Sequence, residues 1–212
     1  MADLEFFFDP VCPWAWITSR WVAEVQQLRD YSVDWRFISL AVLNEDRVAD
    51  WYTPDYRAGH MIGLSALRIA DEVRLTVGND GVAAWYTSIG TKIHDDRTNL
   101  RKVDDLDAAF VELLATAGLD PALAAHGTDE SHDAFIRSET AVALARAGED
   151  VGTPIITFHP GAEREASFFG PVIATVPRGD EAVKFWDAIE LIATTSGMAE
   201  LKRSIRAKPD FT

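Results

Sequence analysis

The chain has 212 residues, of which 48% are hydrophobic and 25% are charged, and its formal net charge is −14. These proportions are typical of a soluble globular protein, and the length is enough for one domain that carries an insertion. Nucleic acids and anionic membrane surfaces are bound through clustered Lys and Arg, so the acidic balance argues against both as partners. The sequence shows no basic leader and no long apolar span, and we therefore expect a cytoplasmic protein.

The first forty residues predict a strand, a helix and a second strand. Residues 4–8, apolar apart from Glu5, are typical of a short buried strand, and large apolar side chains recur at helical spacing from Pro13 to about residue 29. Val33, Trp35 and Phe37 then alternate with polar residues, which is the period of a strand. The two strands are expected to pair in parallel through a right-handed crossover.

The middle of the chain predicts one helix after another. Thr53 and Pro54 suit the N-cap and first turn of a helix, and Asn79 suits the N-cap of the next. Gly118 and Gly148 suit the ends of later helices. Five helices are expected here, over about 53–73, 79–93, 103–118, a short stretch from 120, and 129–147.

Strand signals return after the helices. Residues 154–158 and 166–169 flank a His-Pro-Gly turn, so a hairpin at the edge of the sheet is expected. A long final helix follows residues 177–180, and a shorter helical tail is expected over 198–207. This order predicts one α/β domain, formed by residues 1–43 and 150–212, with a helical domain of residues 44–149 inserted into it.

Cys12 is the only cysteine, and it stands where the first strand runs into the first helix. Pro13 suits the first helical turn, so Cys12 falls at or beside the N-cap. The unpaired N–H groups and partial positive charge of a helix start favour an anion, and a thiol there can have its pKa lowered from ~8.5 to between ~3.5 and ~7.5. We therefore predict a reactive thiolate; the alternative is a small, buried and inert cysteine.

The segment Cys12-Pro13-Trp14-Ala15 resembles the Cys-Pro-x-Cys active-site motif of the DsbA-like branch of the thioredoxin superfamily, with Ala15 in the place of the resolving cysteine. The resemblance implies a thioredoxin fold with a large helical domain inserted between the second strand and the cis-proline strand. Thr153 and Pro154 match the cis-proline segment, where the residue before the proline presents backbone groups to a substrate sulfur. The alternative for Pro154 is an ordinary proline at the start of a strand.

Two longer segments, 8–21 and 39–45, resemble the mycothiol-dependent nitroreductase family within this branch. This resemblance implies that Cys12 exchanges with a low-molecular-weight thiol, either mycothiol or a glutathione-like thiol, which acts as a co-substrate while no cofactor is tightly bound. It also implies that Trp14 and Asn44 line the substrate pocket.

Four further positions complete the implied thiol-binding and substrate-binding set. Pro13, Thr153 and Pro154 are carried over from the two motifs, and Tyr56 from a looser alignment through the helical region. The alternative for Tyr56 is a core aromatic residue on a helix face.

The absence of a resolving cysteine predicts a monothiol reaction, because a lone cysteine forms a mixed disulfide that an outside thiol must break. We expect a thiol oxidoreductase that reduces a small-molecule or disulfide substrate. The first alternative is a transferase or isomerase that stabilises the thiolate of a bound thiol cofactor, as in the related kappa-class glutathione transferases and hydroxychromene-carboxylate isomerases. The second alternative is a non-catalytic protein that binds small molecules.

The five histidines show no spacing typical of a metal site, so no metal is expected. His94 stands at a predicted helix end, where a cationic side chain would satisfy the last carbonyl groups; the alternative is a base near the Cys12 sulfur. His126 and His132 lie in an acidic stretch, which is typical of a solvated face. The sequence leaves a homodimer open.

Overall fold

A four-stranded sheet with the order β2-β1-β3-β4 lies at the centre of the fold. This computed structural model describes residues 2–149, 151–205 and 207–211. The strands are β1 (Leu4–Phe8), β2 (Val33–Phe37), β3 (Ile155–Phe158) and β4 (Ala166–Phe169). β1 pairs in parallel with β2 and antiparallel with β3, and β3 and β4 form an antiparallel hairpin at the edge. The strands and pairings predicted from the sequence are confirmed.

Helices follow β1, fill the chain between β2 and β3, and follow β4. The α-helices are α1 (Pro13–Leu28), α2 (Leu40–Leu43), α3 (Pro54–Thr76), α4 (Asn79–Gly90), α5 (Leu106–Thr116), α6 (Asp133–Ala147) and α7 (Gly179–Thr194). Short 3₁₀ and π-helical turns join them, at Thr91–Asp95, Leu100–Lys102, Pro121–Thr128 and Glu130–His132. This arrangement is the thioredoxin fold with a helical insertion, as the sequence resemblance implied.

Asn79 does not serve as the N-cap predicted for it. Gly78 holds the N-cap position with a φ of 94°, and Asn79 is the first residue of α4. The Asn79 amide instead reaches β2, where Oδ1 accepts the N–H of Trp35 at 2.8 Å and Nδ2 donates to the Val33 carbonyl at 2.7 Å. The physical reason is that β2 is an edge strand, whose unpaired backbone groups need partners.

The predicted helical tail over 198–207 is wrong for the residues that the structure describes there. α7 ends at Thr194, and residues 198–205 form no helix. Leu201 and Ile205 are 72% and 84% exposed, so this segment buries no apolar face. A short helix without such burial is marginal in water.

One hydrophobic core joins the sheet to the inserted helices. Phe8 of β1 stacks on Tyr86 of α4 with ring centroids 3.8 Å apart, and Trp16 of α1 meets the same ring edge-on at 5.6 Å. On the opposite face of the sheet, Phe7 and Ile155 pack with residues of α6. The division into domains at residues 43 and 150 stays a prediction, because the core is continuous across it.

Buried ion pairs hold α6 to the sheet. Arg36 of β2 donates from Nε and Nη2 to the carboxylate of Glu139 on α6, at 2.8 and 2.5 Å. Its Nη1 pairs with Glu5 of β1 at 2.8 Å. Arg146 of α6 also pairs with Glu5. In the part of the chain that the structure describes, no helix is both long enough and apolar enough to cross a membrane.

Candidate active site around Cys12

Cys12 is the N-cap residue of α1, with Pro13 in the first helical turn. Its backbone is extended, and its Sγ accepts the backbone N–H of Ala15 at 3.5 Å. The same Sγ donates to the carbonyl oxygen of Thr153 at 3.4 Å. The sulfur therefore lies between the start of α1 and the segment that leads into β3.

The Thr153–Pro154 peptide bond is cis, and both residues are buried. Thr153 is fixed by its hydroxyl, which donates to the Phe7 carbonyl of β1 at 3.1 Å. The Pro154 carbonyl accepts the N–H of Gly170 at 2.9 Å. These bonds hold the backbone of Thr153 beside Cys12, although 141 positions separate the two residues.

Burial controls the protonation of Cys12, which is 6% exposed. Desolvation of the thiolate raises its pKa to about 12, although the N–H groups of Ala15 and Trp14 act in the opposite direction and the charge of Asp9 adds to the rise. The predicted lowering of the pKa is therefore wrong for this resting state, because burial outweighs the helix start. At neutral pH Cys12 is a thiol whose hydrogen is directed at Thr153.

Asp9 is a buried carboxyl group beside the site that the sequence analysis did not single out. Its Oδ1 accepts the N–H of Val11 at 3.0 Å, and its Oδ2 accepts the N–H of Leu40 at 2.7 Å. Burial raises its pKa to about 7 against the effect of these two hydrogen bonds. An acid placed directly after three consecutive phenylalanines, Phe6 to Phe8, was the available signal, because buried ionisable groups cluster at functional sites.

His94 connects the inserted helices to the Cys12 segment. Its Nε2–H donates to the Pro10 carbonyl at 2.9 Å, and its ring stacks on Trp16 with centroids 5.8 Å apart. Burial lowers the pKa of His94, so the imidazole is a neutral donor. The predicted role as a cationic helix cap is wrong, because the buried ring faces Pro10 of the active segment.

Trp14 and Ala15 continue α1 directly after Pro13. Trp14 is partly buried against the core, and Ala15 is fully buried. The backbone nitrogen of Ala15 lies 3.5 Å from the Cys12 sulfur. The backbone that would carry a thiol at position 15 is therefore in contact with Sγ. The role of position 15 as the place of a resolving residue stays a prediction.

Asn44 and Tyr56 are placed differently from the other candidate residues. Asn44 caps α2, where its Nδ2 donates to the Leu40 carbonyl at 2.8 Å. Tyr56 is 52% exposed and packs edge-on against Trp51 and His60, so it is not a core residue. Within the described residues, no hydrogen bond or ring contact joins Asn44 or Tyr56 to the Cys12 segment, and their roles in a pocket stay predictions.

A cavity of about 230 Å³ lies between α2, α3 and α6. Glu45, Arg57 and Arg137 line it together with the apolar side chain of Met61, and Cys12 does not. Because Cys12 is 6% exposed, a substrate that reaches the sulfur must displace some of the side chains that cover it.

A cysteine at a helix start beside a cis proline, on a sheet of this order, defines a thioredoxin-fold protein of the DsbA-like class. The model of the Rv2466c-like family, described as mycothiol-dependent nitroreductase Rv2466c, matches residues 11–203. The chain therefore belongs to this family of thiol-dependent oxidoreductases.

One sequence relative and two solved structures are similar to most of the chain. The uncharacterized protein Rv2286c of Mycobacterium tuberculosis is 30% identical over 205 residues, which cover 96% of this chain and 82% of the relative. The cytosolic disulfide reductase DsbM from Pseudomonas aeruginosa superposes with a TM-score of 0.58 at 15% identity, covering 89% of this chain and 98% of its own. The probable DsbA oxidoreductase SCO1869 from Streptomyces coelicolor has a TM-score of 0.59 at 16% identity, covering 96% and 94%. These two structures share the fold.

Proposed function

We propose that the protein is a monothiol oxidoreductase in which Cys12 exchanges with a low-molecular-weight thiol of the mycothiol or glutathione type. The observation that carries the proposal is the position of the Cys12 sulfur, which caps α1 and lies 3.4 Å from the carbonyl oxygen before the cis proline. Family membership supports mycothiol as the small thiol. We place the reaction in the cytoplasm, where small thiols are kept reduced.

The first step is attack on a substrate disulfide R–S–S–R′. Cys12 loses its proton and attacks one sulfur, which forms the mixed disulfide Cys12–S–S–R and releases R′–S⁻, and this thiolate takes up a proton to give R′–SH. The N–H groups of Ala15 and Trp14 stabilise the sulfur while it is anionic. The backbone of Thr153 faces the incoming sulfur once the Cys12 S–H no longer donates to it.

The second step needs a thiol from outside, because Ala15 supplies none. A small thiol G–SH, as its thiolate, attacks the R sulfur of the mixed disulfide, which forms G–S–S–R and releases Cys12 as a thiolate that regains a proton. A second G–SH reduces G–S–S–R to R–SH and G–S–S–G. Two small thiols thus supply the two electrons and two protons that reduce one disulfide.

Mass spectrometry of the intact protein tests this proposal. After incubation with the oxidised disulfide of mycothiol or glutathione, we expect one adduct on Cys12, which the reduced thiol removes. The C12A variant should carry none and serves as the matched control. A wild-type chain that stays unmodified while it remains folded would contradict the exchange reaction.

A second candidate function is favoured by the raised pKa of Cys12, which keeps this residue a neutral thiol at rest. In this alternative, a transferase or isomerase of the kappa-class type, the bound cofactor supplies the reactive thiolate and Cys12 only donates a hydrogen bond to it. The C12S variant keeps an O–H donor, so it should turn over an electrophilic substrate at the wild-type rate in this alternative. Under the exchange proposal the same variant is inactive.

A further inference from the structure

Two histidines and two carboxylates converge in the inserted helices, well away from Cys12. Nδ1 of His126 and Nε2 of His132 face each other at 3.1 Å. Oε2 of Glu72 lies 3.9 Å from the first nitrogen and 3.8 Å from the second, and Oδ2 of Asp129 lies 3.7 and 4.0 Å from them. The sequence predicted no metal site, because the spacing of these residues along the chain matches no common metal-binding motif.

We infer that Glu72, His126 and His132 form a binding site for a divalent transition-metal cation, with zinc as the best match. Two imidazole nitrogens and one carboxylate oxygen are a ligand set that Zn²⁺ accepts in tetrahedral geometry, with a water molecule in the fourth position. Metal–ligand bonds of about 2.0–2.2 Å place tetrahedral ligand atoms roughly 3.4 Å apart. The separations of 3.1, 3.8 and 3.9 Å among the three ligand atoms span this value, so a cation needs only small side-chain adjustments.

Asp71 orients the buried histidine for this role. Its Oδ2 lies 2.8 Å from Nδ1 of His132, and its Oδ1 is held by Arg74 at 2.7 Å. A neutral His132 that donates from Nδ1 to Asp71 presents the lone pair of Nε2 to the cluster. A carboxylate that fixes the tautomer and direction of a histidine in this way is characteristic of metal-binding histidines.

The local charge favours a cation at this point. Oxygens of Glu72 and Asp129 lie 3.7–4.0 Å from the two histidine nitrogens, and no Arg or Lys among the described residues makes an ion pair with either carboxylate. The side chains of His132 and Glu72 are 7% and 21% exposed, and that of Asp129 is 44% exposed. The cluster is thus anchored inside and open to solvent on the Asp129 side, which provides a path for the ion.

The position of the cluster indicates a structural role. Glu72 belongs to α3, His126 to the 3₁₀ segment Pro121–Thr128, and His132 to the turn just before α6. The 3₁₀ segment packs on the core through Leu123 and Ala124 and lies against Ile69 of α3 at Gly127, so a cation would add a second connection between this segment and α3. Gly63 of α3 lies against Asp9 beside Cys12, and the nine-residue separation of Glu72 from it amounts to about 13 Å of helix.

Zinc binding by the full-length chain tests the inference. We would strip the protein with a chelator, remove the chelator, and titrate ZnCl₂ in competition with a chromophoric chelator. We expect one zinc per chain and, at free zinc about 100-fold above the Kd, a rise in Tm of about 5–10 °C. Binding should persist in C12S, which excludes the thiol as the ligand.

Substitutions assign the ligands. H126Q and E72Q should each weaken zinc binding at least about tenfold and reduce the rise in Tm, while H159N, which changes a histidine paired with Glu190 elsewhere, should bind as the wild type does. His126 is about one-third exposed at its side chain (32%), so H126Q is expected to fold even if a substitution of His132 does not. Less than one zinc per chain in the folded wild type, or unchanged affinity in H126Q, would overturn the site. The alkylation rate of Cys12 should not depend on zinc, so the result is separate from the exchange proposal.

Discussion

The carboxylate of Asp9 accepts the backbone N–H of Leu40 at 2.7 Å, and this hydrogen bond joins the Cys12 segment to the start of α2. Gly63 of α3 packs against the same carboxylate, where an added Cβ would come within 2.5 Å of Oδ1. Asp9 is therefore held in place, and its charge opposes the formation of a thiolate at Cys12. The protonation states of the two residues are coupled.

The D9N variant should react faster with alkylating agents at Cys12. Removal of the Asp9 charge lowers the pKa of the thiol, and each unit raises the thiolate fraction about tenfold below the pKa. Since burial is the larger cause of the raised pKa, we expect an increase of about two- to tenfold in the rate with iodoacetamide at a pH of about 8–9. D34N is the matched control, because Asp34 lies on β2 and does not act on Cys12; an equal increase there would contradict the coupling.

Asp9 should also make the stability depend on pH. Burial raises its pKa from 3.8 to about 7, so between these values the folded chain holds a proton that the unfolded chain releases. The free energy of unfolding therefore falls as the pH rises through this range, by at most about 4 kcal/mol. His60, whose pKa burial lowers to about 4, has the opposite effect.

Urea unfolding of wild type and D9N at about pH 4.5 and about pH 7.5 isolates this contribution. We expect the unfolding free energy of the wild type, relative to that of D9N, to be greater at the lower pH than at the higher pH. A constant difference would show that Asp9 has an ordinary pKa.

The A15C variant should form an intramolecular disulfide with Cys12. The two positions are already joined by the contact between the Ala15 nitrogen and the Cys12 sulfur at 3.5 Å. After mild oxidation we expect the loss of both free thiols, measured by thiol titration and by intact mass. A23C, two turns further along α1, is the control and should keep both thiols free; two free thiols in A15C as well would contradict the placement of position 15.

The G90A variant should be destabilised. A Cβ at Gly90 would come within 2.1 Å of the Trp16 ring, and that ring cannot move freely because its Nε1–H donates to Asp95 at 2.8 Å and Arg20 covers its face at 4.1 Å. Overpacking of this kind costs about 1–3 kcal/mol, which urea unfolding measures.

G59A provides the control for G90A, because it is also a glycine-to-alanine change inside a helix. The nearest atom to a Cβ at Gly59 is a flexible part of Arg101 at 3.8 Å. Without a clash, the higher helix propensity of alanine should stabilise the chain by about 0.5–1 kcal/mol. Equal effects in the two variants would exclude the close packing against Trp16.

Local patterns predicted most of the fold. The alternation of Val33, Trp35 and Phe37, the Thr53 cap and the glycine at Gly148 act within a few residues, and the structure confirms each of them. Asn79 is not the N-cap that was predicted, and the cause is non-local. Its amide hydrogen-bonds to an edge strand more than forty positions away in the sequence. Sequence patterns cannot rank a local cap against such a distant partner.

The sequence allowed the position of the site to be predicted, but not the pKa of the Cys12 thiol. The motif at Cys12 and the Thr153-Pro154 pair could be matched in the sequence, because each is a short contiguous segment. The raised pKa of Cys12 depends on burial by parts of the chain that fold over it, and this cannot be obtained from the flanking residues. The burial of His132 beside Asp71 was missed for the same reason, because the acidic residues around it in the sequence suggested exposure.

The stack of Phe8 on Tyr86 and the hydrogen bond from His94 to Pro10 together limit how the site can open. Both contacts bind the inserted helices to the strand and loop that carry Cys12, so swinging the helices away as a lid would expose a large aromatic core to water. We therefore expect access to the sulfur through small rearrangements of side chains. Through such an entrance, we expect the protein to accept a slim, flexible disulfide and to exclude the surface of a folded protein.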